Sequence, residues 1–159
     1  MINYTPIGTI HSPFKEPKGT PIQPTAALDI AGVIEINPEY AEGLKDIEGF
    51  SHLILIYHFH LLKGSSLLVK PFLDNELHGI FATRSPSRPN LLGFSVVRLT
   101  RVEGNKLHIL DVDIVDGTPL LDVKPYVSKF DNRETVRNGW FEKNIHKLSI
   151  TTDDGRFVK

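Results

Sequence analysis

The sequence predicts a mainly β fold, a barrel or a sandwich, and three observations carry that prediction. Short β-branched runs recur between Gly, Pro, Asn and Asp clusters, at 7–11, 28–36, 52–62, 93–102 and 106–115. The last two are joined by a tight-turn sequence. Helices do not alternate regularly with strands, and no G-x-G-x-x-G phosphate turn is present, so the doubly wound nucleotide-binding fold gains no support.

Taken in order, the runs 7–11 and 28–36 lead to a helix signal at Asn37-Pro38-Glu39. Asn caps, Pro suits the first helical position, and Glu39 and Glu42 complement the positive end of the dipole. Tyr40, Leu44 and Ile47 then form one apolar stripe. In the run 52–62 alternate side chains face opposite ways, which puts Leu53, Leu55, Tyr57, Phe59 and Leu61 on one face. His52, Ile54, Ile56, His58 and His60 fall on the other. The strand over 96–102 passes through Glu103-Gly104-Asn105-Lys106 into 107–115, with Gly-Asn supplying the positive φ angles of a hairpin. A second helix is expected over 132–148, with Asp131 as cap and Val136, Trp140, Phe141, Ile145 and Leu148 as its apolar face; Gly139 opposes it.

A length of 159 residues fits one domain, read here as 1–159 with a C-terminal helical appendage at about 131–150. Hydrophobic residues at 40% and charged residues at 23% match a folded soluble chain rather than a disordered one. A net charge of −1 excludes coating of nucleic acid by bulk electrostatics, so any RNA contact must be local. Lys and Arg concentrate at 84–106 and 124–147, each either a binding patch or a solvated face of mixed charge. Cysteine is absent, which excludes disulfides and thiolate metal sites and leads to the expectation of a cytoplasmic setting. The longest apolar run, 53–62, is far short of the roughly 20 residues of a membrane span. No secretory signal is read at the N-terminus, and no membrane or DNA partner is expected.

Three clusters are equipped for chemistry, and each also has a structural reading. The His58-x-His60 pair has metal-ligand spacing, but no third ligand is indicated, and hydrogen-bonded histidines are the plainer reading. The segment Phe81-Ala82-Thr83-Arg84-Ser85-Pro86-Ser87-Arg88-Pro89-Asn90 cannot be helical. Its two guanidiniums suit a carboxylate or phosphate, unless it is only a rigid loop. Asp111 and Asp113 are expected on one strand face, and Asp116-Gly117-Thr118-Pro119 as the turn that ends it. Carboxylates there would take hydrogen bonds from ribose hydroxyls or an ammonium group and would favour a sulfonium cation.

Together these segments resemble the signature of the TsaA-like (TrmO) family. The matching pieces are Gly8-Thr9-Ile10-His11-Ser12-Pro13-Phe14, Phe50-Ser51-His52-Leu53, the arginine loop, and Asp116-Gly117-Thr118-Pro119-Leu120-Leu121-Asp122-Val123-Lys124-Pro125-Tyr126. The resemblance implies a single-sheeted β-barrel that binds S-adenosylmethionine, forms a homodimer, and N6-methylates a threonylcarbamoyl-adenosine beside the anticodon of tRNA. It also implies cofactor contacts at Pro21, Ile22, Gln23, His60, Leu61, Arg84 and Phe94, and along Leu110, Asp111, Val112 and Asp113. The same expectation extends to Arg88, Asp116 and Thr118. Ile22 departs from the family's usual Pro-Arg-Gln triplet, and the region after the barrel is shorter than in longer members.

On this reading Arg84 and Arg88 hold either the cofactor's carboxylate or the acidic groups of the modified base, and Asp113 or Asp116 orients the cofactor. An acylated N6 nitrogen is a poor nucleophile, so a base is useful; His52, His58, His60 and Asp113 are unranked candidates. Two rival readings remain: a non-catalytic barrel that binds RNA or a small ligand, and a metal enzyme using His58 and His60. Trp140 and Phe141 would anchor a dimer interface if exposed.

Overall fold

A computed structural model describes residues 1–158. Among the described residues eight strands succeed one another: β1 (Gly8–His11), β2 (Ala31–Ile36), β3 (His52–His58), β4 (Leu68–Val69), β5 (His78–Gly79), β6 (Leu92–Glu103), β7 (Lys106–Leu110) and β8 (Thr118–Pro125). Six of them close into an antiparallel barrel in the order β1-β2-β7-β6-β3-β8, while β4 and β5 pair as a separate ribbon.

Strand alternation fills the barrel. Leu53, Leu55 and Tyr57 of β3 point inward, as read from the run 52–62, and meet Ile10, Ile34, Ile36, Val97, Leu107, Ile109 and Leu120. Burying each such aliphatic side chain contributes about 1.5–3 kcal/mol. Roughly eight strands already give an interior just wide enough for side chains, so a six-stranded barrel has no lumen for a ligand. Any binding site must lie at its mouth or flank.

The β6–β7 hairpin forms as expected, Glu103 pairing with Lys106. Of its two central residues only Gly104 adopts a positive φ, 58°, the pattern of a type II′ turn. Other boundaries move. β3 stops at His58, so Leu61 leaves the inward face and is 43% exposed. β7 stops at Leu110 because Asp111 is left-handed, with φ 75°, so Asp111 and Asp113 do not share a strand face.

Both expected α-helices are corrected. Pro38–Leu44 is a 3-10 helix, and the Asn37 side chain donates to Pro6 O at 3.3 Å instead of capping. The segment is seven residues long and left-handed Asp46 follows shortly after it, so it stays in the short, tight form. Over 132–148, Gly139 at φ 59° interrupts the pattern and leaves two 3-10 turns, Gly139–Lys143 and Ile145–Ile150. Ser128–Asp131 is α-helical; Asp131 ends it rather than capping a later helix, and its carboxylate accepts from Val127 N at 2.8 Å.

The chain then returns to the N-terminal loop. Thr152 bridges Pro21, Gly19 N donates to Asp153 O at 2.6 Å and Asp153 N to Thr20 O at 2.8 Å. Arg156 donates to Lys70 O and Pro71 O at 3.2 and 2.9 Å, and Phe157 packs edge-on against Phe72. Among the described residues no helix is long and apolar enough to cross a membrane.

Candidate active site

A cavity of about 360 Å³ lies against the outer end of β6, enclosed by the arginine loop, the N-terminal loop and the chain after β7. One wall is set by the left-handed turn at Asp111. After it, Val112 drops into the core and Asp113 faces the cavity. Ser95, buried on β6, donates to Asp113 Oδ1 at 2.7 Å, so its oxygen accepts from the buried Tyr57 hydroxyl at 2.8 Å. Burial pushes the Asp113 carboxyl up to about 7, although the Ser95 hydrogen bond and the Arg84 charge pull the other way. The Tyr57 phenol is driven up as well, by burial and by Asp113. The ring of Tyr57 lies over Gly93, where a Cβ would come within 2.1 Å of it.

The opposite wall shows a division of labour between the two arginines. Arg88 Nη1 donates to the carbonyls of Ile80, Thr83 and Ser85 at 3.1, 2.8 and 3.2 Å, and so knots the loop. Arg84 reaches across to Gln23, donating to Oε1 at 2.9 Å, with its guanidinium 5.8 Å from the Phe94 ring centroid. Its other N–H groups have no protein partner among the described residues, which suits an incoming anion.

Of the residues expected to hold a cofactor, Pro21, Ile22, Gln23, His60, Leu61, Arg84, Arg88, Phe94, Asp113 and Thr118 all line this cavity. Leu110, Asp111, Val112 and Asp116 do not. Leu110 is tied into the sheet, paired with Arg98 and Ala31, and Val112 is in the core. Asp111 takes two hydrogen bonds of 2.7 Å from Arg98, which hold its carboxyl below the ordinary range. Asp116 is held low by Lys15 at 2.8 Å and by Ser12 N.

Among the candidate bases, His60 joins Asp113 at the cavity, and burial and neighbouring His58 lower its pKa. His58 stands outside the lining, and His52 lies at the far end of β3, hydrogen-bonded to Ser51 and near the Tyr126 ring. Among the described residues no group of three His, Asp or Glu is placed to hold a metal.

The family model described as tRNA-methyltransferase O N-terminal domain matches residues 9–132. The chain belongs to this family. A Pyrococcus abyssi protein named "Probable S-adenosyl-L-methionine-binding protein" is 66% identical over 157 residues, 99% of this chain and 85% of that one. The human tRNA (adenine(37)-N6)-methyltransferase is 36% identical across 92% of this chain, which spans only 35% of the human protein. The crystal structure of TrmO from Pseudomonas aeruginosa superposes with a TM-score of 0.74 at 37% identity, covering 88% of this chain and 62% of that one.

The tRNA-methyltransferase O segment carries both cavity walls, and it also contains lining residues that sequence reasoning passed over. Ile114 and Val115 line the cavity where Leu110 to Val112 were expected. Tyr57 had a signal through Ser95, which backs Asp113 without lining this cavity: Ser95 is a hydroxyl at an inward position of a strand, and a buried hydroxyl needs partners. Asp153, Phe157 and Val158 also line the cavity from beyond the matched span, and no local pattern announced them.

Proposed function

We propose that this chain is an S-adenosylmethionine-dependent methyltransferase acting on N6 of the adenosine next to the anticodon of tRNA, with a threonylcarbamoyl-adenosine as the preferred acceptor. The observation that carries the reading is the meeting of Arg84 and Asp113 in one cavity on a family barrel. The names of the relatives agree with it, and so does the chemistry of the lining. Asp113 and Asp153 supply negative charge for a cation, and Arg84 offers N–H groups to a carboxylate.

S-adenosylmethionine held there would supply an electrophilic methyl on a sulfonium, with a neutral thioether as leaving group. Arg84, steered by Gln23, holds an acidic group, either the cofactor's carboxylate or that of the modified base. Arg88 keeps the loop in shape rather than binding ligand through Nη1. Asp113 is the base that takes the proton from the acceptor nitrogen, with a pKa near the operating range, where general bases are most effective. Ser95 and Tyr57 position its carboxylate. His60 lines the same cavity, its pKa lowered by burial and by His58.

The homodimer and the cytoplasmic setting belong to the same proposal. The absence of cysteine supports the setting; sedimentation of the purified chain tests the dimer. Trp140 and Phe141 are poor anchors for such an interface, since both are half-buried and stacked on one another within the chain.

Purified protein, labelled cofactor and bulk tRNA should yield an N6-methylated adenosine nucleoside by mass spectrometry. An unlabelled nucleoside pool would instead favour a non-catalytic barrel. Arg84→Ala should weaken cofactor binding or turnover by about tenfold or more; no change in either would remove Arg84 from the site.

A further inference from the structure

Beyond the first cavity lies a larger one of about 840 Å³, and the two share the wall made by Ile22, Gln23, Phe72, Arg84 and Phe94. Its outer side is the 138–148 segment, which follows the span matched by the family. We propose that this second cavity receives the acceptor nucleoside, unstacked from its RNA loop, and that the C-terminal segment is the part of the chain that selects it. The inference rests on the methyltransferase reading of the first cavity.

Three observations carry it. The partition is crossed by a hydrogen bond at Asp113: Ser95 lines the second cavity, and its partner Asp113, 2.7 Å away, lines the first. An acceptor nitrogen beside Ser95 would thus be one hydroxyl away from the carboxylate that serves the donor. The lining is also of the right kind. Phe72, Phe94, Trp140 and Phe141 give flat apolar surface, with Asn138 and Glu142 as polar groups. Single-stranded RNA bases are read by aromatic stacking plus hydrogen bonds to their edges, and enzymes acting on a base move it into such a pocket. Phe94 is the stacking surface on offer, 48% exposed, whereas Trp140 has His78 on one face at 4.4 Å and Phe141 on the other at 3.9 Å.

Third, the outer wall is fastened rather than merely adjacent. Trp140 Nε1 donates to Ala82 O at 2.8 Å, which ties the segment to the arginine loop, and Glu142 accepts from Asn138 N at 2.9 Å. The volume fits a nucleoside carrying an N6 substituent, since pockets for ligands of that size typically run to about 300–1,000 Å³.

Trp140 is the chain's one tryptophan, so its emission reports on this wall alone. The protein is saturated with S-adenosylhomocysteine, which cannot donate a methyl, and titrated with an anticodon stem-loop RNA carrying adenosine next to the anticodon. The expected result is a saturable change in Trp140 emission that disappears when uridine replaces that adenosine. Equal responses to the two RNAs would overturn the proposal, whether or not the enzyme methylates tRNA. In a second arm Ile145→Phe narrows the cavity. It should raise KM for the RNA by about tenfold while leaving cofactor Kd within about twofold, with the wild-type melting temperature as the check on folding. An unchanged RNA KM in a folded variant, or an equal loss of cofactor affinity, would also overturn it. Failure of the wild-type protein to transfer any methyl counts against the methyltransferase reading, not against the adenosine-dependent change in emission.

Discussion

Asp111 and Asp113 are two residues apart and have opposite fates. On the outer side of the barrel end, Asp111 sits in the fork of Arg98, which also binds Asp29 at 2.5 Å; hydrogen bonds to both carboxylates raise the Arg98 pKa. On the cavity side, Asp113 has a hydroxyl as its hydrogen-bond partner, and burial drives its pKa up. The first carboxylate is satisfied and serves the fold. The second is costly as an anion and so is kept ready for a proton or a cation. The difference shows that a carboxylate's neighbours, not its place in a motif, decide whether it can do chemistry.

The comparison can be broken most directly at Asp113. Asp113→Asn removes the base, and turnover should fall by about 10²–10⁴-fold in single-turnover methyl transfer. Asp111→Asn should leave that rate within about twofold while lowering the melting temperature by on the order of a few °C. If the two variants exchanged these phenotypes, the assignment of roles would be reversed.

A subtler change sharpens the contrast. Ser95 donates to the Asp113 carboxylate and so favours its charged form; Ser95→Ala should therefore raise the Asp113 pKa. The alkaline-rising limb of kcat/KM, centred near about 7 in the wild type, should move to higher pH. An unmoved limb would mean that another group controls it.

The smallest effect concerns stability. Asp111, held below the ordinary value near 3.8, stabilises the fold above that value, and its contribution is lost as pH falls through its own lower pKa. Asp113 behaves in the opposite sense. Its contribution is full below about 3.8, fades as pH rises and is gone above about 7. Melting curves at several pH values, each variant compared with wild type, should thus give differences that slope in opposite directions.

Much of the barrel was legible because its signals are local. Gly104 marks the hairpin, and the alternation of Leu53, Leu55 and Tyr57 marks the inward face. The start of β8, Thr118-Pro119, was read as part of a turn; Pro119 lies just beyond the last residue paired with β3, where a missing N–H costs least. The two arginines of the 81–90 loop were legible as a pair, but the division of contacts between Arg84 and Arg88 was not. It depends on Gln23, 61 positions away from Arg84. The cofactor strand expected at Leu110 to Asp113 failed beyond Leu110 because a non-glycine residue, Asp111, takes a positive φ, which composition does not announce. The 138–148 wall was illegible for a similar reason, since Trp140 finds its partner 58 residues earlier.

Tyr57 and Gly93 face each other in register across β3 and β6, the ring occupying the space a side chain at 93 would need. The pair is consequently a lock on sequence drift. A larger residue at 93 evicts the ring, and losing the ring strips Ser95 of its phenolic donor. Homologues that abandon the glycine should therefore abandon the tyrosine too, and should be found to manage the acceptor's proton by other means.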